Sequence, residues 1–474
     1  MLAGRDALGV LPTGGGKSVC YQVPALILDG LTLVISPLVS LMEDQAGRAT
    51  SIGLQAEYLS GTQPASDRQA ALRRVRQGHC DILFVSPERL EVSSFITVLR
   101  SIRLALIAVD EAHCISEWGH DFRPSYRRIG WHLSAWDTPT LALTASATPE
   151  VRSDICENLS LREPLEVVRS FDRPNLWWSV QAGGAPHERL KAIADAVSTE
   201  GGCTIVYAPT RRAVELIRDH LASRGVRCDA YHAGMSGSER SVVQSRFMEG
   251  ARRGVVATNA FGMGIDKADV RCVIHAQLPT TLEAYYQEAG RAGRDGNPAR
   301  CIAFYARKDQ RLGEGFINRT HPSLRRLRKL HRMLSRQSDA LGRSDPTSPA
   351  IIALLGSRPE AWLSGEPDGP LAALERSGGI RRVVPASMTS GTHARSTVHL
   401  THRVGVFRKL NLDSAGHRRR YAFAKLGAVE QFARTHECRR KVLLRYFGEI
   451  TVEYCGRCDR CGWDFISGMP AVDG

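Results

Sequence analysis

Three stretches of this chain carry residues that can handle a nucleotide. The first is Thr13-Gly14-Gly15-Gly16-Lys17-Ser18, which follows an apolar run and precedes a helical pattern. Glycines let backbone N–H groups close on phosphate oxygens, a lysine can reach the β- and γ-phosphates, and a serine hydroxyl can ligate Mg²⁺. The strict pattern has Gly where this chain has Leu11, so the strand–loop–helix context carries the reading; a flexible glycine turn is the bland alternative. The second is Asp110-Glu111-Ala112-His113, ending the apolar run 104–109. An acid at the tip of a buried parallel strand can hold Mg²⁺, directly or through water. Adjacent side chains point apart, which frees Glu111 to polarise an attacking water. The third is residues 286–296, YQEAGRAGRDG, where Arg291 and Arg294 stand three apart among glycines. Placed across a cleft from a triphosphate, such arginines stabilise the charge that develops in phosphoryl transfer. Alone, the second and third segments read as a common strand end and a solvated turn. Together with the first they form the two faces of one site.

A fourth constellation is unrelated to phosphate. Cys438, Cys455, Cys458 and Cys461 crowd the C-terminal end, and four thiolates suit a tetrahedral Zn²⁺. C-x₂-C-x₂-C also serves iron–sulfur clusters, but here one cysteine lies upstream on a helical pattern and no Cys-Pro follows Cys461. The remaining cysteines, 20, 80, 114, 156, 203, 228, 272 and 301, are scattered singly, as small buried hydrophobes are. Clustered thiols in a reducing compartment read as metal ligands before they read as disulfides.

These residues need elements to hold them. Short Val/Ile/Leu-rich runs at 7–11, 31–36, 81–85, 104–109 and 140–144 alternate with helix-length segments. A second set follows at 204–207, 228–231, 254–257, 272–275 and 301–305. Continuous apolar runs spaced by helices imply parallel sheets covered on both faces, so the pattern predicts two α/β domains in tandem, joined near 164–173. Past about residue 307 the texture changes. A basic helical stretch (Arg325, Arg326, Arg328, Lys329, Arg332, Arg336) leads to a predicted short helix at 370–377, a hairpin at 380–384 and 396–401, and a helix over 421–446 running through Cys438. A length of 474 residues gives about three domains at roughly 150 residues each. Hydrophobic residues are 43% and charged residues 24%, which excludes a disordered or fibrous chain. Lys and Arg number 63 against 49 Asp and Glu, a net charge of +14 that makes a polyanion the first partner to consider. No run nears the roughly 20 apolar residues of a membrane span, and the start has no apolar signal core. The expectation is an intracellular, cytoplasmic protein, nucleoid-associated if bacterial.

The order of these motifs resembles the RecQ family of superfamily 2 DNA helicases. The likeness spans about residues 4–306 and resumes at 421–463. Its motifs are residues 11–18, 33–45 (LVISPLVSLMEDQ), 84–90 (FVSPERL), 110–126 (DEAHCISEWGHDFRPSY), 142–149 (ALTASATP), 170–176 (SFDRPNL), 231–234 (YHAG), 257–271 (ATNAFGMGIDKADVR) and 286–296. The most specific is DEAHCISEWGHDFRPSY, similar beyond its first four residues to the aromatic-rich loop that couples DNA to ATP hydrolysis in RecQ enzymes. Its Trp118, His120, Phe122 and Tyr126 interleave with Arg123, and bases stack on aromatic faces beside a guanidinium; aromatic residues after a strand can equally be core. Residues 438–449 (CRRKVLLRYFGE) resemble the helix carrying the first zinc ligand.

The resemblance implies two RecA-like P-loop NTPase domains at 1–168 and 169–308, an inserted module at 309–420 compatible with a winged helix, and a zinc-binding helical module at 421–474. It implies ATP, Mg²⁺ and Zn²⁺ as cofactors. Thr13, Gly14, Gly15, Gly16, Lys17, Ser18 and Asp266 would bind nucleotide, with Ser18 and Asp110 on Mg²⁺. Lys17, Asp110, Glu111, His113, Gln287, Arg291 and Arg294 would be catalytic. The implied activity is ATP-driven 3′-to-5′ translocation and unwinding of single-stranded and forked DNA in recombination and repair. Two departures stand out. The chain begins inside the segment that usually supplies an adenine-reading Gln, so weak, poorly adenine-selective ATP binding and a longer upstream reading frame are expected. The second is that 141 residues separate Gly296 from Cys438, where family members usually reach the first zinc cysteine soon after the Arg-rich motif; the helical DNA-binding domain of many RecQ proteins is also expected to be missing. Rival readings are a DNA-stimulated translocase that separates no strands, a non-catalytic DNA-binding derivative, and an RNA helicase.

Overall fold

The computed structural model describes residues 1–12, 14–61, 63–116, 123–262, 265, 267–337, 343–344, 369–377, 379–383, 397–400, 413–450 and 454–462. The chain divides into two compact units, residues 1–306 with 431–474, and residues 307–430.

The first unit holds two wholly parallel sheets. In the first, β1 (Ala7–Val10), β2 (Leu31–Ile35), β4 (Ile82–Val85), β5 (Leu104–Val109) and β6 (Thr140–Thr144) come from the apolar runs. With β3 (Ala56–Leu59) and β7 (Leu165–Val168) they pair in the order β3-β4-β2-β5-β6-β1-β7. The second sheet runs β10-β11-β9-β12-β13-β8, from β8 (Leu176–Ala182), β9 (Cys203–Tyr207), β10 (Cys228–Tyr231), β11 (Gly254–Ala257), β12 (Val270–His275) and β13 (Ala299–Tyr305). Strands such as β2 and β11 are buried along their whole length because helices cover both faces. One cluster packs Tyr21, Val34, Phe84 and Leu143 under the first sheet, and another packs Ile193, Val214, Val256 and Ile274 under the second.

The strands absent from the sequence pattern are all edge strands or next to the joint. All four residues of β7 are exposed, and it pairs with β1 inside the segment read as a connection. An edge strand has one ladder partner, so it does not require a continuous apolar run. Asp6 fastens this edge: its carboxylate accepts from Thr140 N (2.8 Å) and Arg162 N (2.7 Å).

In the second unit, helices Asp309–Thr320, Leu324–Arg336 and Pro370–Arg376 accompany a small antiparallel sheet ordered β14-β16-β15, from β14 (Arg343–Ser344), β15 (Ile380–Val383) and β16 (Thr397–Leu400). The basic helix turns Leu327, Leu330 and Leu334 onto Leu371, Leu374 and Ile380, leaving Arg325, Arg328, Lys329, Arg332 and Arg336 exposed. The single helix predicted over 421–446 is two, Asp413–Arg434 and Arg439–Tyr446. The break leaves Cys438 as an N-cap with φ −50°, ψ 124°, within 4.8 Å of the other three sulfurs. Among the described residues, no helix is long and apolar enough to cross a membrane.

Candidate functional site

The glycine loop leaves β1 and enters helix Val19–Ile27, with Ser18 at its N-cap. Gly14 and Gly16 sit at φ 82° and 77°, a conformation that other residues rarely adopt. Gly15 N–H donates to Pro12 O at 2.8 Å, and a Cβ on Gly15 would lie 2.8 Å from that oxygen, so the turn admits no side chain there. Lys17 Nζ reaches 3.6 Å from Glu111 Oε1. The loop lysine and the acidic strand end therefore share one space. Thr13 lies outside the described residues.

Asp110 and Glu111 follow β5. Glu111 is in the left-handed region (φ 48°, ψ 44°), which costs a non-glycine residue on the order of 1 kcal/mol. The Asp110 Oδ1 acceptor holds it there, taking the Glu111 N–H at 2.9 Å. Gln45 Nε2 donates to the other oxygen, Oδ2, at 3.2 Å, and the Tyr126 hydroxyl donates to Asp110 O at 3.1 Å. Burial pushes the Asp110 carboxyl up to about 6, Glu111 adds to the rise, and Lys17 opposes it. Glu111 Oε2 lies 3.3 Å from His113 Nδ1, which also meets Thr144 Oγ1 at 2.9 Å. His113 thus ties the ends of β5 and β6. Gln45 and Thr144 are site residues that the sequence reading did not single out, although both lie inside quoted motifs.

The second sheet supplies the opposite wall. A cavity of about 360 Å³ is lined by Lys17, Ser18, Gln45, Asp110 and Glu111 on one side and by Gln287, Arg291 and Arg294 on the other. Arg291 is only 5% exposed and its guanidinium stands beside the Tyr207 hydroxyl, which donates to Phe261 O at 2.8 Å. Arg294 Nη1 donates to Ile265 O at 2.8 Å, and its Cγ would lie 3.8 Å from a Cβ on Gly14. The cavity is thus cationic on both walls around a carboxylate pair, an arrangement suited to a polyphosphate with a divalent cation. Asp266 lies outside the described residues.

Of the expected DNA-contacting loop, Trp118, His120 and Phe122 lie outside the described residues. Arg123 is half-buried and donates through Nη1 to Pro37 O at 2.7 Å. Tyr126 corrects the sequence expectation. It is fully buried, and its hydroxyl is committed to Asp110 O, so its ring offers no face to a base. Aromatic spacing does not tell a ring facing outward from one closing the core.

The four cysteines converge. Their sulfurs lie within 4.8 Å of one another, with Cys455 to Cys461 at 3.8 Å and Cys438 to Cys458 at 4.0 Å. Thiolates about 2.3 Å from one tetrahedral Zn²⁺ lie about 3.8 Å apart, so the set fits that ion. Backbone N–H groups of Arg439 and Arg457 donate to Cys458 Sγ (3.4 Å) and Cys455 Sγ (3.3 Å), as suits sulfurs carrying negative charge. The segment docks on the edge of the second sheet: Trp178 N–H donates to Arg457 O (3.2 Å) and Asp459 N–H to Trp178 O (3.1 Å). Fully buried Arg439 makes a two-pronged pair with Asp459 at 2.9 and 3.0 Å.

Comparison with known proteins matches three family models along the chain: DEAD/DEAH box helicase at residues 1–155, helicase conserved C-terminal domain at 188–296, and RecQ zinc-binding at 401–462. The chain is 44% identical to the ATP-dependent DNA helicase RecQ of Pasteurella multocida over 309 residues, 65% of this chain and 49% of the relative. It is 33% identical to the probable ATP-dependent DNA helicase RecS of Bacillus subtilis over 470 residues, 98% of this chain and 87% of the relative. The chain spans about half the length of the RecQ relatives it matches. In fold it is similar to the helicase Lhr of Mycobacterium smegmatis bound to single-stranded DNA and AMP-PNP, with a TM-score of 0.51 at 22% identity over 84% of this chain and 57% of that one.

Proposed function

Since this chain belongs to the RecQ family of superfamily 2 helicases, we propose that it is an ATP-dependent DNA helicase moving 3′ to 5′ on single strands and opening forked duplexes in recombination and repair. The observation that carries the reading is the cavity with Lys17, Asp110 and Glu111 on one wall and Arg291 and Arg294 on the other. In this reading residues 1–168 and 169–308 are the two motor halves, 309–420 an inserted module of winged-helix kind, and 421–474 the zinc module.

The chemistry follows from the residues. The loop amides and Lys17 bind the β- and γ-phosphates. Ser18 and Asp110 would hold Mg²⁺, which supplies charge neutralisation on the phosphates. Glu111 orients and deprotonates the attacking water, with its carboxylate aimed by the left-handed turn and flanked by His113. Gln287, Arg291 and Arg294 close from the second sheet, and the arginines stabilise charge on the transferred group. Because the two walls belong to different sheets, binding and loss of the γ-phosphate pull the walls together and release them, and a strand lying across both sheets is stepped. The +14 net charge favours such a polyanion. Asp266 and Thr13 complete the nucleotide site, while Trp118, His120, Phe122 and Arg123 report the strand to Asp110.

The test is release of a labelled strand from a forked duplex, with ATP, without nucleotide, and with Glu111→Gln. ATP-dependent release by the wild type alone is the expected result. DNA-stimulated ATPase with no release would leave a translocase, and binding without any ATPase would overturn the enzymatic reading.

A further inference from the structure

The turn that carries Arg291 and Arg294 is gripped from outside the nucleotide cavity. Arg173 lies in the link between the two sheets, and its guanidinium donates to Gly290 O (3.0 Å), Ala292 O (2.8 Å) and Gly293 O (2.9 Å). Those carbonyls bracket Arg291 and lead into Arg294. Asn175 Nδ2 adds bonds to Gly293 O (2.7 Å) and Asn297 O (2.9 Å). Gly293 sits at φ 55°, and a Cβ there would lie 2.5 Å from Asn175 Nδ2, so the turn and its holder are closely fitted. A guanidinium is a rigid fork of donors with no acceptor, and three carbonyls converging on it fix both partners.

The link is itself held from its far side by the cysteine-bearing segment. Arg440 makes a two-pronged ion pair with Asp172, the residue before Arg173. The Glu449 carboxylate accepts from Ser170 Oγ (2.7 Å) and from Phe171 N–H. The Phe447 ring stacks on Phe171 with centroids 4.4 Å apart and planes 12° apart. The Tyr286 hydroxyl, on the helix leading to the arginines, donates to Phe171 O at 2.6 Å.

We propose that Arg173 is a positioning residue for the Arg291–Arg294 pair, and that the Asp172–Arg440 contact anchors it to the metal-binding segment. The proposal rests on the reading above that this pair faces the transferred phosphate. Arg173 touches no reacting atom; it acts through the backbone of the turn. Displacing catalytic arginines by about an ångström costs up to roughly 100-fold in rate while leaving phosphate binding by the opposite wall in place.

The experiment uses the full chain. ATP kcat and KM, zinc content, and single-turnover hydrolysis are measured for Arg173→Lys, Arg291→Ala and the double variant. Arg173→Lys keeps the charge but cannot span three carbonyls. The expected result is a kcat lowered roughly 10- to 100-fold, with KM and zinc content near wild type. In the expected double variant the further loss on top of Arg291→Ala is smaller than the loss that Arg173→Lys causes alone, because one of the two positioned arginines is already gone. Asp172→Asn, which weakens the ion pair with Arg440, repeats the test without touching the grip and should give a smaller loss of the same kind. Wild-type kcat in Arg173→Lys, or an equal fold-loss with and without Arg291, would overturn the proposal. Full activity in Arg291→Ala would overturn the arginine reading and this inference together, so the two failures are told apart.

Discussion

In the proposed mechanism the chemistry turns on Glu111, and variants of its surroundings should separate binding from hydrolysis. Lys17 lies within 3.6 Å of it, and in the proposed mechanism the two have different tasks: one holds phosphate, the other handles a proton. Lys17→Ala should abolish ATP turnover, measured as phosphate release, while far-UV circular dichroism stays unchanged. Glu111→Gln should still bind ATP but hydrolyse it about 10²- to 10⁴-fold more slowly, the range of a lost general base. Wild-type turnover in Glu111→Gln would remove it from the reaction. Trp118→Ala should preserve basal ATPase and lose most DNA stimulation; equal stimulation in variant and wild type would make Trp118 a core residue. Lys17, Asp110 and Glu111, which line one cavity, were legible in the sequence, because glycine, lysine and paired acids have few other reasons to stand at such spacings. Gln45 was not, since an amide inside a helix pattern has many ordinary uses, and only the fold shows it bonded to Asp110. Tyr126 misled for the opposite reason: an aromatic side chain suits a base and a core equally well.

At the scale of elements, central strands were legible and edges were not. β5 is apolar throughout because it is covered on both faces, whereas β3 is mostly half-exposed and β7 fully exposed, so neither needs that signature. The break before Cys438 also escaped a periodicity reading, since helical spacing continues across it on both sides. The break brings Cys438 to the other three sulfurs. Cys458→Ser should therefore unfold the segment locally and lower zinc from about one per chain toward none, read by metal analysis. Iron with labile sulfide in the wild type would overturn the zinc assignment. Arg439 gives a second handle on the same element. It is fully buried and paired with the half-buried Asp459, so Arg439→Leu should destabilise the first unit by less than the roughly 3 kcal/mol that breaking a wholly buried pair costs. Chemical denaturation monitored by tryptophan fluorescence would show it.

For the whole molecule, the chain divides into two compact units. Residues 1–306 with 431–474 carry the proposed motor, and its second sheet has an edge that matters beyond catalysis. That edge is β8, where Arg457, Cys458 and Asp459 lie alongside Trp178 as a makeshift extra strand. The segment that covers it carries three of the four clustered cysteines, so a bound metal would add to the hold of the Arg439–Asp459 pair. Stripping the metal should then bare a row of unpaired amides flanked by tryptophan, the type of edge that recruits a second copy. The chain should turn cloudy in chelator at temperatures well below its unfolding midpoint, and light scattering should rise with protein concentration. In this protein the metal would act as a solubility guard as much as a structural staple, and zinc starvation would show first as aggregation, before any loss of catalytic rate per folded molecule.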